Sequence, residues 1–144
     1  MDGKSTFDTD LKGNERILFV DDEESLVFTA KQTLGRLGYH VVAERNPNKA
    51  LEIFMEQPDG FDIVITDMTM PEMTGEKFVN EIMKIRPDIP VVLCTGHSEH
   101  ILGKKMEGMG IRALVMKPAL VREIAKAIRQ VLATTRSPSD HLRG

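Results

Sequence analysis

Cysteine is almost absent from this chain of 144 residues: Cys94 is its single representative. No internal disulfide can form, and a lone thiol suits a reducing compartment, so the chain is read as cytoplasmic. Long apolar runs are missing too. None approaches the ~20 residues that cross a bilayer as a helix, which leaves no expected membrane contact. The opening stretch MDGKSTFDTDLKGNE is polar and lacks an apolar h-region, so it does not read as a secretory signal. Basic excess is lacking as well: 22 acidic side chains stand against 19 basic ones, a net charge of -3. Such a surface is poorly suited to a phosphate backbone, and nucleic acid is excluded as an expected partner.

What is present is an ordinary globular composition, 41% apolar and 28% charged, at the length of one domain. Residues 1–14 and 134–144 lack periodic apolar content and read as flexible tails around a domain at 15–133. Within it, five apolar runs stand out: ILFV (17–20), VVA (41–43), IVI (63–65), VVLC (91–94) and ALVM (113–116). Each is nearly continuous, the pattern of a strand buried on both faces of a parallel sheet. Helical spacing fills the intervals. Leu26, Ala30, Leu34 and Leu37 form one stripe, stopped by Gly38. Asn46-Pro47 reads as an N-cap with proline at the first helical position, ahead of Leu51 and Phe54. Phe78, Ile82 and Ile85 form a third stripe, closed by Pro87, and Leu120, Ile124, Ala127 and Val131 form the last. A further helix is expected at 98–109, weakened by Gly103 and Gly108. The order is five βα repeats, and right-handed crossovers place helices on both faces of an α/β sheet.

Ligands of such sheets bind beyond the carboxyl ends of the strands. Asp21 and Asp22 follow the first strand, Asp67 the third, Thr95 the fourth and Lys117 the fifth. Three converging carboxylates repel each other unless a cation joins them. The set holds no His or Cys, so a hard ion with oxygen ligands, Mg2+, is the expected cofactor. An aspartate can act as a nucleophile and form an acyl phosphate. Lys117 offers a cation and Thr95 a hydroxyl to phosphoryl oxygens.

Four motifs now lie in order at strand ends: ILFVDDE, D-M-T-M-P-E-M-T-G from Asp67 to Gly75, C-T-G at 94–96 and M-K-P at 116–118. In these, the chain from about Glu15 to Leu132 resembles the receiver domains of bacterial two-component response regulators. It is most similar to the C-terminal receivers of hybrid sensor histidine kinases. The resemblance implies a flavodoxin-like doubly wound (βα)5 fold with five parallel strands in the order 2-1-3-4-5. It implies Asp67 as phosphoacceptor, with Mg2+ on Asp21, Asp22, Asp67 and the backbone carbonyl of Thr69. Thr95 becomes the switch hydroxyl and Lys117 the phosphate-binding lysine, with a cis bond to Pro118. The implied function is phosphorelay signalling, in which phospho-histidine on a histidine kinase or histidine phosphotransfer domain supplies the group. The implied activity is self-phosphorylation and self-dephosphorylation, alone or as part of a hybrid kinase. Two positions depart from the usual pattern. Leu114 stands where many receivers carry Tyr or Phe, which leaves the aromatic readout without its ring. Thr69 stands where others often carry Asn, Met or a longer side chain, which bears on the lifetime of the phosphoryl group.

Blander readings compete at each position. DDEE in isolation is an acidic helix start, Asp67 alone a turn residue before Pro71, and Lys117 alone a solvated lysine. Their coincidence at strand ends favours one site. Cys94 reads as a packed core thiol and Met68, Met70 and Met73 as packing. His97 and His100, three apart, lack partners for zinc. Other functions remain: a stand-alone single-domain regulator acting by protein contact, a Mg2+-dependent aspartyl phosphatase, a flavin binder on the same fold, or a binding module that has lost phosphorylation. The phosphatase reading wants a second Asp where Thr69 stands. The flavin reading wants a small polar phosphate loop where DDEES stands.

Overall fold

The fold is seen in a computed structural model that describes residues 10–96 and 108–143, without side-chain detail beyond residue 133. Its elements are β1 (Arg16–Val20), α1 (Glu24–Arg36), β2 (His40–Glu44), α2 (Pro47–Glu56), a short 3-10 turn (Pro58–Gly60), β3 (Ile63–Asp67), α3 (Gly75–Ile85), β4 (Val91–Thr95), β5 (Ile111–Met116) and α4 (Val121–Arg143). The helix expected at 98–109 lies outside the described residues except at its end, where residues 108 and 109 are helical. His97 and His100 lie outside them as well.

The five strands form one sheet in the order β2-β1-β3-β4-β5, and every pairing is parallel. Side chains alternate across a strand, so a continuous apolar run feeds two cores at once. On one face Ile17, Phe19, Ile63, Ile65, Val92 and Cys94 pack against Ala30 and Leu34 of α1 and Ile124 and Ile128 of α4. On the other, Leu18, Val20, Val64, Val91 and Leu93 pack against Ala50 and Phe54 of α2 and Phe78 and Ile82 of α3. This is the flavodoxin-like doubly wound arrangement expected from the sequence. Two-sided burial makes the strands rigid, and rigid strands aim the residues at their carboxyl ends.

Local chemistry sets the helix ends. The Asn46 side chain accepts hydrogen bonds from the backbone N–H groups of Asn48 and Lys49 at 2.8 and 3.4 Å. Thr74 caps α3 in the same way, accepting from Lys77 N–H at 3.2 Å. Gly38 follows α1 at a φ of 109°, a turn that favours glycine.

The structure departs from the expected tails at both ends. Residues 10 and 11 are helical and Leu11 is buried in the core shared by α1 and α4. The reason is tertiary: the seam between two helices offers Leu11 an apolar site that no local periodicity announces. At the other end α4 continues to Arg143, past the expected boundary at 133. Its residues beyond 133 carry helical backbone without an apolar stripe, which is why the sequence pattern stops earlier.

Candidate functional site

Asp67 is the last residue of β3 and is buried, as is Asp21 directly after β1. Asp22 beside it is half-buried. The adjacency of β1 and β3 in the sheet brings these loops together, and one carboxylate oxygen from each of Asp21, Asp22 and Asp67 lies within 4.8 Å of the others. Lys117, just past β5, reaches across. Its Nζ lies 3.1 Å from Asp67 Oδ1 and 3.3 Å from Asp21 Oδ2. Thr95 ends β4, fully buried, and its carbonyl accepts the Lys117 backbone N–H at 2.8 Å. The Lys117–Pro118 bond is cis, as expected. The loops after β1, β3, β4 and β5 thus deliver Asp21, Asp22, Asp67, Thr95 and Lys117 to one end of the sheet.

Burial and like charge dominate the electrostatics. Burial pushes the Asp21 carboxyl above its ordinary range against the pull of the Glu23 backbone N–H and Lys117. Burial, then the Asp21 charge, pushes Asp67 up in turn, while Lys117 and the Thr69 N–H draw it down. For Lys117 burial works against the ammonium, yet the bond to Asp67 and the charges of Asp21 and Asp67 outweigh it and raise its pKa. Two buried carboxylates held this close lack enough positive charge around them. The donor set is all oxygen, so a hard divalent cation such as Mg2+ fits its chemistry.

Thr69 is exposed, two residues beyond Asp67, and its backbone N–H bonds the Asp67 carboxylate. Leu114 sits opposite Leu93 in the sheet and packs, partly buried, on the side of α2 and α3. Cys94 lies opposite Asp67; burial pushes its thiol up to about 12, so it is an inert neighbour rather than a nucleophile.

Two residues escape a reading from sequence. Arg45, after β2, donates from Nε to the Asp22 carbonyl at 3.3 Å, and the Asp21 N–H donates to the Glu44 carbonyl at 3.2 Å. The loop after β2 therefore backs the acid pair, which follows once β2 is known to neighbour β1. The other is Gly75, at the start of α3. A Cβ there would lie 2.3 Å from the Asp67 carbonyl oxygen. Its place in the Asp67–Gly75 motif was visible, but not the close approach that demands it.

Comparison with known proteins gives one consistent result. Residues 17–129 match the response regulator receiver domain family. The chain is 30% identical over 124 residues to Sensor kinase CckA of Brucella abortus, covering 86% of this chain and 13% of that protein. It is 30% identical over 118 residues to Chemotaxis protein CheY of Thermotoga maritima, covering 81% of this chain and 97% of that one. A solved response regulator receiver domain protein from Clostridium thermocellum superposes with a TM-score of 0.77 at 30% identity, covering 85% of this chain and 97% of the other. The chain thus spans a small part of one curated relative and nearly all of another.

Proposed function

This chain belongs to the response regulator receiver domain family, and on that premise we propose that Asp67 is its phosphoacceptor, served by Asp21, Asp22, Thr95 and Lys117. The domain is a phosphoacceptor of two-component signalling. Receiver domains in general bind Mg2+ at an acidic pocket and exchange phosphoryl groups with histidine kinases or phosphotransfer proteins. The observation that carries the assignment is the three-carboxylate cluster with Lys117 touching two of its members.

In the proposed reaction an Asp67 carboxylate oxygen attacks the phosphorus of a phospho-histidine. The P–N bond breaks, the imidazole departs and an acyl phosphate forms on Asp67. Mg2+, held by Asp21, Asp22, Asp67 and the Thr69 carbonyl, would neutralise charge on the transferring group. Lys117 holds the nucleophile before transfer and is placed to pair with a phosphoryl oxygen afterwards. Thr95, on the rigid end of β4, supplies the hydroxyl that a phosphoryl oxygen draws in. That movement would bias the segment after Gly96 and repack Leu114 rather than swing a ring.

A histidine-kinase-linked receiver is the favoured setting, supported by the similarity to a sensor kinase. A stand-alone regulator is the second reading, supported by the near-complete coverage of the chemotaxis protein. Among the described residues no helix is long and apolar enough to cross a membrane; the cytoplasmic assignment rests on the partners proposed. The exposed start of α1, with Phe28 62% exposed, is the proposed docking face for the donor.

Acetyl phosphate with Mg2+ should add one phosphoryl group by intact mass to the wild-type chain and none to Asp67→Asn. Equal labelling of both would overturn the assignment. A thermal melt should rise with Mg2+ in the wild type and not in Asp22→Ala.

A further inference from the structure

The chain ahead of β1 is fastened to the domain by specific contacts. Leu11 is 6% exposed and lies in the same core as Leu34 of α1 and Ile124 and Ile128 of α4. Its carbonyl accepts the Tyr39 O–H at 2.9 Å. Gly13 N–H donates to the Leu37 carbonyl at 3.1 Å. A Cβ on Gly38 would lie 2.3 Å from the Gly13 carbonyl oxygen, and one on Gly13 would lie 2.5 Å from the Tyr39 ring, so glycine is demanded on both sides of the crossing. Below it Arg129 of α4 pairs with Glu15 at 2.6 Å and lies 5.6 Å over the Tyr39 ring.

The fastening is uneven. Lys12 and Asn14 are exposed and Gly13 is half-buried, which leaves Leu11 as the one buried apolar side chain of residues 10–14. A cavity of about 200 Å3 remains beside it, lined by Leu11, Thr33, Arg36, Leu37, Val121 and Ala125. A segment anchored by a single buried apolar side chain opens more readily than the sheet beneath it.

We propose that residues 10–15 form a releasable strap, and that the seam between α1 and α4 is a docking groove whose built-in occupant is the strap's Leu11. The inference goes beyond phosphoryl transfer and does not depend on the role of Asp67.

The test uses the full chain and its Leu11→Asp variant, with a synthetic peptide of residues 9–14 as probe. The variant should lose amide-exchange protection at the end of α1 and the start of α4 while β1, β3 and α3 stay protected. Adding the wild-type peptide to the variant should restore that protection saturably, and a peptide carrying the same Asp should not. The wild-type chain should bind the peptide at least about tenfold more weakly, because its tethered strap competes at high effective concentration. If Leu11→Asp does not fold, Leu11→Ala carries the same comparison. No rescue by the peptide, equal binding to both chains, or protection lost evenly across the sheet would each overturn the proposal.

Discussion

Lys117 Nζ sits 3.1 Å from Asp67 Oδ1, so the proposed phosphoacceptor is paired with the lysine proposed to bind the phosphoryl group. The pairing makes two opposed predictions for Lys117→Gln. The metal-free fold should lose about 1–2 kcal/mol, less than the ~3–5 kcal/mol of a broken buried pair because Lys117 keeps 26% exposure. Its melting temperature should at the same time rise further with Mg2+ than the wild type's, since no ammonium competes for the carboxylates. Paired melts with and without Mg2+ read both effects. A smaller Mg2+ response in the variant would show that Lys117 supports the cation site rather than substituting for it.

Asp67→Asn should stabilise the metal-free protein at neutral pH, because it removes one of two buried carboxylate charges held close together. Asp21 and Asp67 both titrate above their ordinary 3.8 when folded. For carboxyls raised in the folded state, the stability they contribute is whole below the unfolded value and is lost as pH rises through the folded one. Metal-free wild type should therefore lose more stability between pH 4 and neutrality than Asp67→Asn does. Denaturant midpoints across that range, with chelator present, test it. Parallel curves for the two proteins would contradict the burial of Asp67 as its main perturbation.

The sheet was legible because each strand is buried on both faces: runs such as ILFV and VVLC read as parallel strands without any structure. The candidate cluster was legible because Asp21, Thr95 and Lys117 directly follow such runs and Asp22 and Asp67 lie one residue further on, so neighbouring parallel strands bring them to one end of the sheet. Leu11 was not legible. One leucine in a polar stretch has no period, and its burial depends on Tyr39 and on a seam that exists only after α1 and α4 have packed. Gly75 and Arg45 were hidden for the same reason, since each acts on a loop that is distant in sequence and adjacent in the sheet.

Tyr39 is the single tyrosine of a chain without tryptophan, so its ionisation can be read directly in ultraviolet absorbance. Burial pushes its phenol up to about 12, helped by the Glu15 charge and opposed by Arg129. The raised value means that its contribution to stability is whole below pH 10.0 and is lost as pH rises through about 12. Absorbance should show no tyrosinate at pH 10 and a transition near 12 that coincides with unfolding. Leu11→Asp should bring the transition down toward 10.0 by opening the strap above the ring. Tyr39→Phe should cost about 1 kcal/mol by leaving the buried Leu11 carbonyl unpaired. A normal titration in the wild-type chain would place the ring in solvent and remove the strap's polar anchor.

Gly75→Ala tests whether close packing of α3 positions Asp67, the proposed nucleophile. The added Cβ would stand 2.3 Å from the Asp67 carbonyl oxygen and 2.8 Å from Met68 Cα, and both are backbone atoms that cannot swing aside. The Gly75 N–H also donates to the Met68 carbonyl at 2.7 Å, so helix and loop must part together or bend. Overpacking of this kind costs about 1–3 kcal/mol. Gly35, on the exposed side of α1, is the internal control: a Cβ there meets nothing within 4 Å. Gly35→Ala should be neutral or stabilising by up to ~1 kcal/mol, from helix propensity alone. If α3 merely braces the fold, Gly75→Ala will lower stability and leave the labelling rate unchanged once the variant is assayed well below its melting point. If α3 sets where Asp67 points, labelling by acetyl phosphate should slow by about tenfold or more, the rate equivalent of ~1.4 kcal/mol. Mg2+ should then also stabilise the variant less, because Asp67 no longer meets Asp21 and Asp22 at ligand distance. Rates measured at saturating Mg2+ separate the two: a slow rate that excess Mg2+ restores belongs to the cation site, and one that persists belongs to the aim of the Asp67 carboxylate.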